Sequence, residues 1–307
     1  MTTPARGVPA RPAALARRAA LDAAAAAGLD VREPRLLRHG SHAVFTLGAV
    51  VARVTALSPR AVADARQSLL VARWLAATEF PAGRAVADDD LAVPQPVTAG
   101  EHLVTFWHSL GQNPAHGSTA DLGRLLRRFH ALEAPPDMPL VPMDPVGRIT
   151  RQLAGARVLQ DGDRAWLTDR LAVAAAGYAG LDLTLPPGHL HGDATVANVV
   201  LDGGGVPTLI DLDLLRTGPR EWDLLRTAVY ARRLGWHTQD EYREFSVAYG
   251  VDVTAHPGFD VLADLCELLQ VAWLAEAATG RPELAAELLV RIGTLRAGTN
   301  RCVWCRI

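Results

Sequence analysis

The segment from Gly188 to Asp213 constrains this chain more than any other. Two short apolar runs, Asn198–Leu201 and Pro207–Ile210, flank Asp202-Gly203-Gly204-Gly205, and this pattern predicts a tight β-hairpin. A hairpin sets the loop before its first strand beside the loop after its second. Asp193, Asn198 and Asp211 can therefore converge although 18 positions separate the outer two. Gly192 lets the backbone bend sharply next to Asp193. Two carboxylates and an amide oxygen are hard donors suited to magnesium, an ion that keeps waters and binds substrate phosphates as well. Taken singly, Asp193 reads as a turn residue, Asn198 as a strand-edge amide and Asp211 as a loop acid. The combination His191-Gly192-Asp193, four residues, Asn198, a hairpin and then Ile210-Asp211-Leu212-Asp213 carries the signal.

Around this segment the chain reads as α+β. A helix is expected over Ala14–Ala27. Next come strand, glycine turn and strand over Leu36–Leu47, and a third strand over Val50–Val54. Pro59 opens a helix through Ala61–Ala77, Asp88–Asp90 reads as a hairpin tip, and Leu103–Trp107 is another strand. Residues 108–118 read as a linker. Ser118 or Thr119 caps a helix over Ala120–Leu132, followed by helices over Val146–Leu159 and Asp163–Tyr178, and the chain beyond Asp213 is mostly helical to Leu295. The expected architecture is bilobal: residues 1–108 form a small β-rich lobe, and residues 109–307 a larger, mainly helical lobe with a short β insert.

Composition narrows the function. The chain has no lysine, so every cationic task falls to its 31 arginines. A net charge of −2 excludes a broadly basic nucleic-acid surface. Residues 1–180 carry +4 and residues 181–307 carry −6. That asymmetry suits a phosphate-handling first part and a cationic acceptor in the second, although helix surfaces produce it too. No apolar run is long enough to span a membrane. The Ala- and Arg-rich start, interrupted by Asp22, reads as an amphipathic helix after a frayed beginning, which points to the cytoplasm. Cys266 sits in an apolar helical run. Cys302 and Cys305 have CxxC spacing, but no second ligand pair accompanies them, so the end of the chain reads as an unstructured tail, with a redox or metal role for the pair as the alternative.

The His191–Asp213 segment resembles the aminoglycoside phosphotransferase and choline kinase-like branch of the protein-kinase fold. Thr105-Phe106-Trp107, Leu122–Leu126 and Gly218–Leu224 stand in the order that family uses, and the chain looks like one of its actinobacterial members. The resemblance implies a magnesium-dependent O-phosphotransferase. It would use ATP or GTP, with Asp193 as catalytic base and Asn198 and Asp211 as metal ligands. His191 would shape the catalytic loop, and Asp223 would brace it from a helix start. Asp213 would either approach the metal or be structural. Gly40, Ser41 and His42 would cover the nucleotide phosphates, Arg53 would contact them, and Phe106, Trp107 and His108 would meet adenine. The implied acceptor is a small hydroxylated molecule, an aminoglycoside or other natural product, as in antibiotic resistance. Glu221, Asp260, Asp264 and Glu267 are its candidate contacts, and the chain would act as a monomer or homodimer.

Three positions depart from the family pattern, one of them His42 in the phosphate-covering turn, where many relatives carry Asn. Arg53 stands where kinases carry a lysine, and the helix position that should supply its glutamate partner is Ser68. Asp64 compensates, or nucleotide alone holds the cation, or nucleotide handling is impaired. Two other functions stay open on this reading: a kinase acting on a peptide Ser or Thr, and a non-catalytic binding module of the same fold.

Overall fold

The computed structural model describes residues 10–31, 33–40, 42–111 and 114–307. Ser41 and the expected frayed start lie outside the described residues. The fold is α+β, with an antiparallel sheet in the first part of the chain and helices through most of the rest. The chain divides into two compact units. The first gathers Met1–His116, Glu133–Pro139 and Asn198–Leu214, and the second gathers Gly117–Leu132, Leu140–Ala197 and Leu215–Ile307.

The first unit is built on five strands: β1 (Arg35–His39), β2 (Ala43–Thr46), β3 (Val50–Ala56), β4 (Val97–Ala99) and β5 (His102–His108), in the order β1-β2-β3-β5-β4. Strand alternation gives β3 two faces. Ala52 and Val54 are buried in one core with Phe45, Val104 and Phe106, and helix α1 (Ala10–Ala26) closes that core. Ala16, Ala19, Ala20, Ala23 and Ala24 recur at helical spacing, and their small side chains let α1 lie close on the sheet. Arg53, between Ala52 and Val54, therefore projects from the opposite face. Helix α2 (Pro59–Ala77) starts at Pro59, as expected. Pro59 fits the first turn, and Ser58 Oγ accepts from Ala61 N at 3.1 Å. Asp88–Asp90, expected at a hairpin tip, form a short 3-10 turn.

The second unit opens with α3 (Thr119–His130), which begins in a reciprocal capping box: Ser118 Oγ accepts from Asp121 N at 3.1 Å, and Asp121 Oδ2 accepts from Ser118 N at 2.8 Å. Helix α4 (Pro145–Gly155) stops short of the expected Leu159, because Ala156 turns extended and Arg164 of the next helix binds its carbonyl at 2.8 Å. Helix α5 (Asp161–Ala179) follows. Strand β6 (Gly188–Leu190) is missing from the sequence reading, as is its partner Arg216–Gly218, because three residues carry too little periodicity to read. Between them, though belonging to the first unit, lie β7 (Val199–Leu201) and β8 (Pro207–Leu209), so Arg216–Gly218 is β9. Helices α6 (Glu221–Arg232), α7 (Gln239–Tyr249), α8 (Phe259–Ala277) and α9 (Pro282–Ala297) complete the unit. Its core centres on α8, where Leu262, Leu265, Leu268 and Leu269 are buried with Leu167, Trp222 and Val229.

The end of the chain corrects the expectation of an unstructured tail. Asn300 caps a 3-10 turn over Arg301–Val303, and Trp304 is only 2% exposed. Trp304 Nε1 donates to Thr294 Oγ1 at 2.7 Å, and the Arg291 guanidinium lies 4.9 Å from the Trp304 ring centroid. A buried indole with its N–H satisfied holds the segment. Cys302 and Cys305 are exposed and unpaired with each other. Among the described residues, no helix is long and apolar enough to cross a membrane.

Candidate functional site

The chemistry-bearing residues fall into two clusters, one in each unit. The first forms around the predicted hairpin. Val199 pairs with Leu209 and Leu201 with Pro207, while Asp202 Oδ1 accepts from Gly204 N and Val206 N at 2.9 Å and so closes the turn. At the open end of the hairpin, Ile210 N donates to the Asn198 carbonyl at 2.9 Å, which sets Asn198 beside the residue preceding Asp211. Asp211 adopts φ 65°, a left-handed conformation uncommon outside glycine. Asp tolerates it better than most residues, and such strain persists where surrounding contacts enforce it.

Arg53 reaches this hairpin exit from β3. Its Nη1 donates to Asp213 Oδ1 at 2.6 Å and its Nη2 to Asp213 Oδ2, a bidentate pair, with Asp211 Oδ1 at 3.4 Å from Nη2. Ser68 Oγ on α2 donates to Asp213 Oδ1, and His42 Nε2 lies 3.2 Å from Asp213 Oδ2. His42 Nδ1 faces Thr55 Oγ1 at 2.5 Å. Burial, then Arg53, push the His42 pKa down to about 4, so its imidazole is neutral at pH 7. Burial also lowers the Arg53 pKa, with Asp211 opposing the shift. Among the described residues, no three His, Cys, Asp or Glu side chains form a metal cage. Magnesium needs none, since it binds through one or two carboxylates plus phosphates. The Asn198 amide and the Asp211 carboxylate fit that donor requirement.

The predicted adenine-binding strand is committed to the sheet along much of its length. Phe106 N donates to Gln95 Oε1 at 2.8 Å, its carbonyl accepts from Val86 N at 3.0 Å, and His108 N donates to Arg84 O at 2.8 Å. Trp107 Nε1 donates to Thr105 Oγ1 at 2.9 Å. Gly40 N donates to His42 O at 2.9 Å and closes the turn predicted to cover the phosphates.

The second cluster is the loop carrying Asp193. Asp223, in the first turn of α6 and 1% exposed, accepts from His191 N at 2.7 Å and from Gly192 N at 2.9 Å. Its Oδ2 also faces His130 Nε2 at 3.0 Å, and His130 Nδ1 lies 2.9 Å from the Tyr249 hydroxyl. Burial opposes the Asp223 charge, but His130 and the loop amides outweigh it, and its pKa falls below the usual carboxylate range. Gly192 turns the loop at φ 79°, and Asp193 N donates to His191 Nδ1 at 3.3 Å. Arg226 Nη1 stands 2.8 Å from Asp193 Oδ1. Burial works against this guanidinium, yet Asp193 and Tyr230 raise its pKa overall.

The sequence reading expected the Asp223 brace but missed Arg226, His130 and Tyr249. Arg226 follows Asp223 by three positions and so shares its helix face, which is the one signal that could have flagged it. The four candidate acceptor acids differ in exposure. Glu221 is buried, and its Oε1 accepts from Leu185 N at 2.7 Å. Arg233 pairs with Asp260 and Asp264 at 2.8 Å and with Glu267 at 3.3 Å, and Arg301 lies 2.8 Å from Glu267. Asp260 alone keeps its side chain in solvent, 89% exposed.

Residues 33–265 match the family described as the phosphotransferase enzyme family. The chain matches no curated protein. Among solved structures, the fold is similar to an amicoumacin kinase in complex with AMP-PNP, Ca2+ and Ami, with TM-score 0.69 and 14% identity over 95% of this chain and 97% of that one. It is also similar to a choline/ethanolamine kinase family protein from Mesorhizobium loti, with TM-score 0.62 and 19% identity over 91% and 93%. A spectinomycin phosphotransferase in complex with ADP and spectinomycin gives TM-score 0.62 and 13% identity over 90% and 88%.

Proposed function

Because this chain belongs to the phosphotransferase enzyme family and has the kinase-like fold, we propose that it moves the γ-phosphoryl group of ATP or GTP to a hydroxyl of a small natural product. The observation that carries the reading is the hairpin exit, where Asp211 sits at φ 65° next to the residue hydrogen-bonded to Asn198, with Arg53 3.4 Å away. Asn198 and Asp211 would hold a magnesium ion, which when bound would neutralise charge developing on the transferred phosphoryl group. Arg53 would donate to the nucleotide phosphates, the turn at Gly40, Ser41 and His42 would cover them, and adenine would meet the end of β5 around Trp107 and His108. Asp193, on a loop braced by Asp223, would accept or orient the proton of the acceptor hydroxyl.

The solved relatives support a small-molecule acceptor, since one is in complex with AMP-PNP, Ca2+ and Ami and another with ADP and spectinomycin. Of the four acids, Asp260 is the one we assign to a cationic group of the acceptor, because its carboxylate is the solvent-exposed one. The non-catalytic reading rested on the missing helix glutamate; the carboxylate of Asp213 beside Arg53 removes its main support. The test is ADP release with magnesium and a panel of hydroxylated amines, aminoglycosides and choline included. Asp193→Ala should abolish acceptor-dependent ADP release while its melting temperature stays within a few degrees of the parent. Turnover at the parent rate would refute the assignment of Asp193.

A further inference from the structure

The position of Arg53 raises a question the family pattern does not answer. A kinase of this fold relies on an ion pair between its third-strand cation and a helix glutamate, and α2 offers no carboxylate at that height. Ser68 stands there instead. Asp64, the acid on α2, lies 3.5 Å from Arg60 and acts on Arg53 only through its charge, with no hydrogen bond to it. Asp213 does what the helix does not. Both Nη atoms of Arg53 converge on its carboxylate, Ser68 Oγ donates to the same group, and His42 Nε2 faces it at 3.2 Å.

The donor count decides between the two roles the sequence left open for Asp213. An ionised carboxylate has about four lone-pair sites. Arg53 takes two, Ser68 one, and His42, neutral with a pKa of about 4, one more through its Nε2–H. Thr55 supports that tautomer, since its hydroxyl can donate to Nδ1. A metal bond to Asp213 would displace at least one of these donors in a site where both Arg53 and Asp213 are about 15% exposed. Asp211, by contrast, meets Arg53 only at 3.4 Å and keeps capacity for an ion. On the cation, three of the five guanidinium N–H groups point at Asp213 and Asp211, which leaves two for phosphate oxygens.

We propose that Asp213 is the positioning residue that replaces the helix glutamate: it fixes the Arg53 guanidinium for the nucleotide phosphates, with Ser68 and His42 as its supports, and it is not a metal ligand. This inference rests on the reading that Arg53 binds nucleotide. Ser68 is then no loss on α2 but the small hydroxyl that leaves room for a carboxylate arriving from the hairpin exit.

The test measures ADP binding by calorimetry on the full chain, once with excess magnesium and once with EDTA. The variants are Asp213→Asn, Ser68→Ala, Ser68→Glu and Asp213→Asn/Ser68→Glu. Asp213→Asn should weaken ADP about tenfold in both conditions, because it disturbs one charge-assisted contact and not the metal. Ser68→Ala, which keeps every charge, should weaken it about twofold to threefold and covers the case in which Asp213→Asn does not fold. The double variant should recover affinity, since a glutamate on α2 restores the missing charge. If Asp213→Asn weakens ADP only with magnesium, and added magnesium restores it, Asp213 is a metal ligand and the proposal fails. Unchanged affinity in both Asp213→Asn and Ser68→Ala also overturns it. A parent protein that binds no ADP at all would instead sink the phosphotransferase reading itself.

Discussion

Asp223→Ala is the perturbation whose consequences can be worked out most fully from the structure. The Asp223 carboxylate is 1% exposed and answers His191 N, Gly192 N and His130 Nε2 at 2.7, 2.9 and 3.0 Å. Truncation leaves these buried groups facing a cavity, and each unsatisfied donor costs about 1–3 kcal/mol. Relaxation and water entry recover part of that sum, so the expected loss is about 3–5 kcal/mol, the range for breaking a buried charged network. Two amides of the loop holding Asp193 lose their acceptor together, so turnover should fall as well, by about 100-fold. Urea denaturation gives the stability, and acceptor-dependent ADP release gives the turnover. The pH dependence supplies a second check. The folded-state pKa of Asp223 lies below its unfolded value, so its contribution is fully present above about pH 4 and is lost as pH falls further. Asp223→Ala should therefore flatten the acid limb of the stability profile. A loss under about 1 kcal/mol with unchanged turnover would refute the bracing role.

Three further outcomes follow from individual contacts. His42 has a folded-state pKa of about 4 against an ordinary 6.5, so the unfolded chain takes up a proton that the folded chain refuses. Stability should fall by up to about 3 kcal/mol as pH drops from about 6.5 to 4, and His42→Gln should remove that slope in urea melts at stepped pH. A Cβ on Gly123 of α3 would stand 2.6 Å from the Phe245 carbonyl of α7, so Gly123→Ala should cost about 1–3 kcal/mol in the same assay. Arg226→Met removes the cation 2.8 Å from Asp193 and should lower kcat about tenfold or more, measured by ADP release at saturating nucleotide. Parent-like kcat would mean that the ion pair does not set the Asp193 carboxylate.

Much of this was legible in the sequence because it is local. The alternation of Val50–Val54 and the Asp202–Gly205 turn depend on neighbours a few residues away, and the structure places strands and hairpin within a residue or two of the reading. The capping box at Ser118 was half visible in the same way: the cap could be expected, though not the reciprocal Asp121. Legibility failed where the deciding partner is distant in the chain. Trp304 looked like part of a loose tail until its contacts with Thr294 and Arg291 appeared. The pairing of Asp260, Asp264 and Glu267 with Arg233, and of Glu221 with the Leu185 amide, could not be read because an acidic sequence does not show which donors will meet it.

The sequence by itself determined the hairpin, the order of the longer strands and helices, and the run His191-Gly192-Asp193 to Asp213 that links the chain to its family. Those features arise from backbone propensity and short-range spacing, and both can be read in one dimension. Only the tertiary structure decided what holds Arg53. Ser68, Asp213 and His42 lie 15, 160 and 11 positions from it, and a carboxylate is recruited across such a distance because a buried cation requires one wherever the fold can supply it.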